Sequence, residues 1–186
     1  MRFETDRLVL RRWLPSDLGP FQRMNADPYV MRYFPSTRTN EESAELLQKT
    51  ERHFEEHGFG VWALELKATG EWIGLTGAAH VPFEAHFTPA VELGWRIVGK
   101  FHGQGYATEA ARFTCEFAFK ELKLSGLVAF TIPANLPSRR VMEKLGMKHN
   151  PAENFNHPLV PPDSPARVHV LYRLSSAEYR KESTGE

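Results

Sequence analysis

Along the chain, apolar residues recur alternately at the spacing of a strand and at that of a helix. Residues 8–11, Leu-Val-Leu-Arg, form a short apolar run of strand length, and Pro15-Ser16-Asp17 opens a helix toward Met24 with Leu18 and Phe21 turned inward. Between residues 39 and 57, Ala44, Leu47, Thr50 and Phe54 recur every three or four positions in a charged background, predicting an amphipathic helix capped by Asn40 and stopped by Gly58. Strand-like runs follow at 60–66, 72–80 and 90–98, the first two joined by a tight turn at Ala68-Thr69-Gly70, which predicts an antiparallel meander. The link 81–89, rich in Phe and His, is longer than a hairpin needs and reads either as a substrate loop or as a plain solvated one.

After Gly105 the period becomes helical again. Ala107, Ala110, Ala111, Thr114, Phe117 and Ala118 trace an inward stripe that predicts a buried helix. Residues 126–132 read as a compact strand, 136–145 as a helix stopped by Gly146, and 167–174 as a last alternating strand. The five prolines between 150 and 166 predict an irregular excursion, and residues 175–186 read as a tail, fraying beyond Tyr179.

Length and composition narrow the field. With 186 residues, 41% hydrophobic and 25% charged, the chain reads as one folded domain spanning 1–186. Lys plus Arg and Asp plus Glu both total 23, so no net positive field draws the protein to nucleic acid or an anionic membrane. The first 13 residues lack the continuous apolar run of an export signal, and the single Cys115 can form neither an internal disulfide nor a cysteine zinc site, which points to the cytoplasm. Cys115 lies mid-helix among core positions and makes a poor nucleophile. His80, His86 and His102 offer no compact pair of the kind a helical zinc site needs, so no metal is expected.

The chemistry concentrates in Lys100-Phe101-His102-Gly103-Gln104-Gly105-Tyr106-Ala107-Thr108-Glu109-Ala110, between a strand and the alanine-rich helix. Glycines at 103 and 105 allow close backbone approach, and the first amides of the helix have no partner within it, an arrangement suited to phosphate oxygens. Two other nucleotide motifs come close and fail. Gly94, Gly99 and Lys100 have P-loop spacing, but Phe101 stands where a magnesium-binding Ser or Thr is required; Thr108 stands at the third glycine of a dinucleotide fingerprint.

The run from Gly103 to Ala110, together with Thr5-Asp6-Arg7-Leu8, Val91-Glu92-Leu93-Gly94-Trp95 and the segment from Asn135 to Gly146, resembles the GNAT superfamily of N-acetyltransferases, in its ribosomal-protein (RimJ/RimL-type) branch. Lys100 replaces the Gln or Arg with which the family's loop begins. The resemblance implies an α+β fold: a mostly antiparallel, twisted sheet of about six to seven strands flanked by helices, with one strand pair splayed at a cofactor cleft. It implies acetyl-CoA as co-substrate, its diphosphate held by the amides of Gly103, Gln104, Gly105, Tyr106, Ala107 and Thr108 with Lys100 adding charge. Free backbone groups near Ile97 and Val98 would pair with the pantetheine arm and steady the oxyanion, and Asn135 and Ser138 would face that arm.

Many family members carry Tyr where Met142 stands, to protonate the departing thiolate; Ser138 or a water is the substitute here. Glu92 is the candidate base, with an exposed strand carboxylate as the alternative reading, and Glu109 ranks second because an acidic residue in a first helical turn serves as a cap. The expected partner is an amine, either a protein N-terminus or a small molecule, with the protein a monomer or homodimer. A non-catalytic acyl-CoA sensor and a transferase of longer acyl groups stay open.

Overall fold

The structure, a computed structural model, describes residues 1–184. It holds nine strands, β1 (Arg2–Glu4), β2 (Leu8–Arg11), β3 (Val61–Leu66), β4 (Trp72–His80), β5 (Val91–Ile97), β6 (Gly126–Thr131), β7 (Lys148–His149), β8 (Phe155–Asn156) and β9 (Val168–Ser175). The longer helical segments are α1 (Leu18–Ala26), α2 (Pro28–Met31), α3 (Asn40–His57), α4 (Tyr106–Lys120), α5 (Leu136–Lys144) and α6 (Ser176–Thr184). The sheet runs β1-β2-β3-β4-β5-β6-β9-β7, with β8 added beside β9. Every neighbouring pair is antiparallel except β5 and β6, which run parallel and are joined by the α4 crossover.

The predicted meander is present as β3, β4 and β5. Its first turn closes through Gly70, at φ +70°, whose amide donates to the Leu66 carbonyl over 2.8 Å. β4 lies unusually close to β5: a Cβ built at Gly74 would stand 2.2 Å from the Arg96 carbonyl oxygen, so only glycine fits. One face of the sheet packs on α4 through Ala110, Ala111, Cys115 and Ala118, all buried against Leu64, Leu93 and the fully covered Trp62. A second cluster seats Phe21 and Met24 of α1 on Trp13, Ala63 and Trp72. No described helix is long and apolar enough to cross a membrane.

Three expectations change. The α3 cap is Thr39, not Asn40: its side chain accepts from Glu42 N–H while Glu42 returns a bond to Thr39 N–H, a reciprocal capping box. The sheet has nine strands because β1, β7 and β8 are two or three residues long, too short to show a period; β7 and β8 dock against β9 on either side of the proline-rich segment's start. Residues 176–184 form a helix where a frayed tail is expected, because Ser175 and Glu178 make a second capping box and Tyr179 packs on Phe119 at 5.0 Å. Residues 185 and 186 of that tail lie outside the described part of the chain.

Candidate active site

The glycine loop turns twice through left-handed backbone, with Gly103 at φ +75° and Gly105 at φ +85° as the residue before α4. No side chain caps α4. Among the described residues, the amides of Gly103, Gln104, Gly105, Tyr106, Ala107 and Thr108 have no protein acceptor; the first amide to find one is that of Glu109, bonded to the Gly105 carbonyl over 3.0 Å. Six consecutive free N–H groups at the positive end of a 15-residue helix make an anion cradle.

The loop is braced by a segment for which the sequence reading assigned no role. Glu109 accepts from Thr5 Oγ1 at 2.6 Å, from Arg7 N–H at 2.8 Å and from Arg7 Nε at 2.6 Å, while Arg7 Nη1 donates to the Gln104 carbonyl at 2.9 Å. The Arg7 guanidinium also lies 4.5 Å from the centre of the Tyr106 ring. Partial burial works to raise the Glu109 carboxyl, but the bonds from Thr5 and Arg7 outweigh it and hold the group below its ordinary value. Glu109 is thus consumed as a brace and drops out as a base. Lys100 also departs from its expected place: its ammonium pairs with Glu71 and rests 4.8 Å from the Phe101 ring centre, rather than reaching over the loop.

Beside the loop the sheet parts. β5 and β6 share a single rung, Glu92 opposite Val128, and then diverge. Bonds from Val98 N–H to Ile73 O and from Val81 N–H to Ala90 O fix the phase of the β4–β5 ladder. Alternation then turns the backbone groups of Val98, Arg96 and Gly94 toward β4, and those of Trp95 and Ile97 toward the gap. Val98 is therefore corrected: its N–H is bonded to Ile73 and its C=O accepts from Phe101 N–H, leaving nothing for a ligand. The Ile97 carbonyl accepts from His102 Nε2 at 2.7 Å. The groups left open along the gap are the N–H of Ile97 and both backbone groups of Trp95.

Glu92 stands where the strands part. It is half-buried, and among the described residues its carboxylate has no hydrogen-bond or ionic partner. Burial pushes its carboxyl up to about 8. By strand alternation Gly94 and Arg96 share its face. Arg96 donates to Asn25 Oδ1 and lies 4.3 Å from the centre of the Phe34 ring. The Nε atoms of Arg96 and Arg38 are both buried without partners, and among the described residues no carboxylate pairs with either guanidinium. Burial, then the like charge of Arg38, lowers Arg96 to about 10, which leaves it cationic at neutral pH.

Across the gap, Asn135 caps α5, accepting from Ser138 N–H at 3.3 Å and donating to Thr131 Oγ1 at 2.9 Å. The Ser138 hydroxyl is half-buried and free of protein partners among the described residues. Met142 is 2% exposed and belongs to the core, so it offers no proton donor. Cys115 is buried as well, its thiol pushed up to about 12 by desolvation.

The histidines are regrouped. His102 lies at the glycine loop and His86 beside Phe87 and Phe155, while His80 meets His53 and His57 at the end of α3. The signal for that trio was the i, i+4 spacing of His53 and His57, which the sequence reading passed over.

A cradle of free amides beside a parted parallel strand pair is the arrangement that the sequence resemblance implies. The Bacillus subtilis protein described as uncharacterized N-acetyltransferase YnaD is 32% identical over 149 residues, covering 80% of this chain and 83% of its own. An acetyltransferase from Agrobacterium tumefaciens superposes with a TM-score of 0.77 at 28% identity, covering 94% of both chains. Mycobacterium smegmatis RimJ, solved with CoA-disulfide, shares the fold at 21% identity, with a TM-score of 0.72 over 96% of this chain and 89% of that one. The model of the Acetyltransferase (GNAT) domain matches residues 7–148, and with the cradle, the parted strands and these relatives it makes the chain a member of the GNAT acetyltransferases, an acyltransferase by family.

Proposed function

We propose that the protein transfers an acetyl group from acetyl-CoA to a primary amine by direct attack in a ternary complex. The observation that carries this reading is the row of six unpartnered amides next to the open side of β5. Those amides would hold the diphosphate, and the Trp95 backbone would pair with the pantetheine amides as an added strand. As the amine nitrogen bonds to the thioester carbon, at the end of the arm remote from the diphosphate, Glu92 takes the ammonium proton, while the Ile97 N–H, five residues along β5 and nearer the loop, pairs with the arm. The C–S bond then breaks, and the Ser138 hydroxyl, directly or through water, relays a proton to the sulfur. No covalent enzyme intermediate is needed, so Cys115→Ala should keep turnover within about threefold, as measured by thiol release.

Arg96 and Arg38 favour one kind of acceptor. A half-buried Arg96 on the strand face that carries Glu92, with Arg38 close enough to lower its pKa and neither guanidinium paired with a carboxylate among the described residues, suits an amine that brings an anionic group of its own. Free thiol measured with acetyl-CoA across matched acceptors tests both parts. Amino acids or peptides with a free carboxylate should exceed their amides in kcat/KM by tenfold or more, and Arg96→Met should erase that preference, since a hydrogen bond to a charged group contributes about 1.5–3 kcal/mol. Binding without acceptor-dependent thiol would instead establish a sensor, and faster turnover of succinyl-CoA would establish a longer acyl donor.

A further inference from the structure

On α3, His53 and His57 are one turn apart, so their side chains leave the same face of the last two turns. The chain then reverses at Gly58, which is left-handed at φ +75°, and enters β3. β3 pairs with β4 from Val61 opposite Gly77, so β4 runs on past the start of β3 and its last residue, His80, arrives beside the two helical histidines. One ligating atom from each of the three lies within 4.8 Å of the others. The ring centres are 4.5 Å apart for His53 and His57 and 4.6 Å for His57 and His80.

The orientation of His53 is what separates this trio from ordinary ring packing. Its Nε2 lies 3.1 Å from His80 N–H, which can only donate, so Nε2 carries a lone pair. The proton of the neutral ring is then on Nδ1, 2.8 Å from the Phe59 carbonyl, which can only accept. A histidine that gives one N–H to a backbone carbonyl has the outer-shell support typical of a metal ligand, and its other nitrogen, here accepting from His80 N–H, carries the lone pair that a metal would take. Glu56 adds charge: its Oε2 lies 3.9 Å from His57 Nε2. His57 and His80 are exposed and can rotate, and solvent reaches the cluster.

We propose that His53, His57 and His80 form a binding site for a divalent ion of borderline softness, Zn²⁺ in the first instance, with water or Glu56 at the fourth position. Zinc–imidazole bonds of about 2.0–2.1 Å bring tetrahedral nitrogens to roughly 3.4 Å from one another. The trio reaches that separation by rotation of His57 and His80, with the bond from His80 N–H to His53 given up. The bound ion ties the end of α3 to the end of β4, one residue beyond the Ala79–Glu92 rung. The assignment is independent of the acyl-transfer reading.

The test uses the untagged full-length protein, freed of metal with chelator and titrated with Zn²⁺ by calorimetry and by thermal unfolding. The expected result is one equivalent bound at micromolar Kd or tighter, with Tm raised by about 5–10 °C at a hundredfold excess over Kd. His57→Ala and His80→Asn, both at exposed positions, should keep the metal-free Tm within a few degrees and weaken Zn²⁺ binding at least tenfold each. Absence of saturable binding below about 100 µM Zn²⁺ overturns the proposal. So does binding that survives unchanged in His57→Ala, because the ion then belongs to other histidines.

Discussion

Replacing Glu92 with Gln is expected to lower kcat by about 10²- to 10⁴-fold, the usual range for a positioned acid–base group, while KM for acetyl-CoA stays within a few-fold. The carboxylate has no partner among the described residues, so the substitution breaks no bond in the fold, and a loss of rate reports on chemistry. A free carboxyl at about 8 also sets the direction of the pH dependence. The base works only when ionised, so kcat/KM should climb with pH through about 8, and Glu92→Gln should flatten that limb. An acceptor whose own pKa lies well below 7 keeps the amine's ionisation out of the same window.

Stability should move the opposite way. Burial lifts the folded-state carboxyl above its ordinary 4.5, so the folded protein holds this proton more tightly than the unfolded chain does. The stabilisation from the proton is full below about pH 4.5 and is lost as pH rises through 8. Gln has no such proton to lose, so the Tm of Glu92→Gln should gain on wild type between pH 5 and 9. A variant that kept wild-type kcat would remove Glu92 from the mechanism, and a Tm difference that did not change with pH would return its carboxyl to the ordinary range.

Parts of this were legible in the sequence because the signal was local and long. The meander shows three apolar runs with a turn between the first two, and α4 shows its inward stripe over three turns, so both survive any tertiary context. Glu92 stands out in the sequence because it lies in Val91-Glu92-Leu93-Gly94-Trp95, a run that resembles the family's, and its role as base is part of the proposed reaction. Val98 was misjudged because which backbone groups face the gap depends on the phase of the β4–β5 ladder, and adjacent residues point opposite ways. The brace from Thr5 and Arg7 to Glu109 spans more than 100 positions, and no spacing rule reaches that far. The α6 cap is a different case: Ser175-Ser176-Ala177-Glu178 is a capping box readable from the sequence, set in a polar segment with no apolar period to mark the helix that follows.

Gly105→Val should raise KM for acetyl-CoA by roughly 10- to 100-fold and leave kcat at saturation within a few-fold. Gly105 holds φ +85°, where a side chain costs about 1–2 kcal/mol and a β-branched one fits worst. The added Cβ would also stand 3.4 Å from Arg7 Nη2, the guanidinium that braces the loop and bonds Gln104 O. Relieving the backbone strain means turning the peptide, which swings the amides of Gly105 and Tyr106 away from a shared centre. Each amide lost to an anion is a charge-assisted bond, and one or two account for the range given. Gly105→Asn separates strain from contact, because Asn tolerates left-handed backbone: it should recover most of the stability lost in the Val variant but less of the affinity, since its side chain still stands in the cradle. Affinity for CoA, measured by calorimetry on each variant with helix content checked by circular dichroism, reads both effects. A folded Gly105→Val protein that bound CoA as wild type does would move the diphosphate away from this loop.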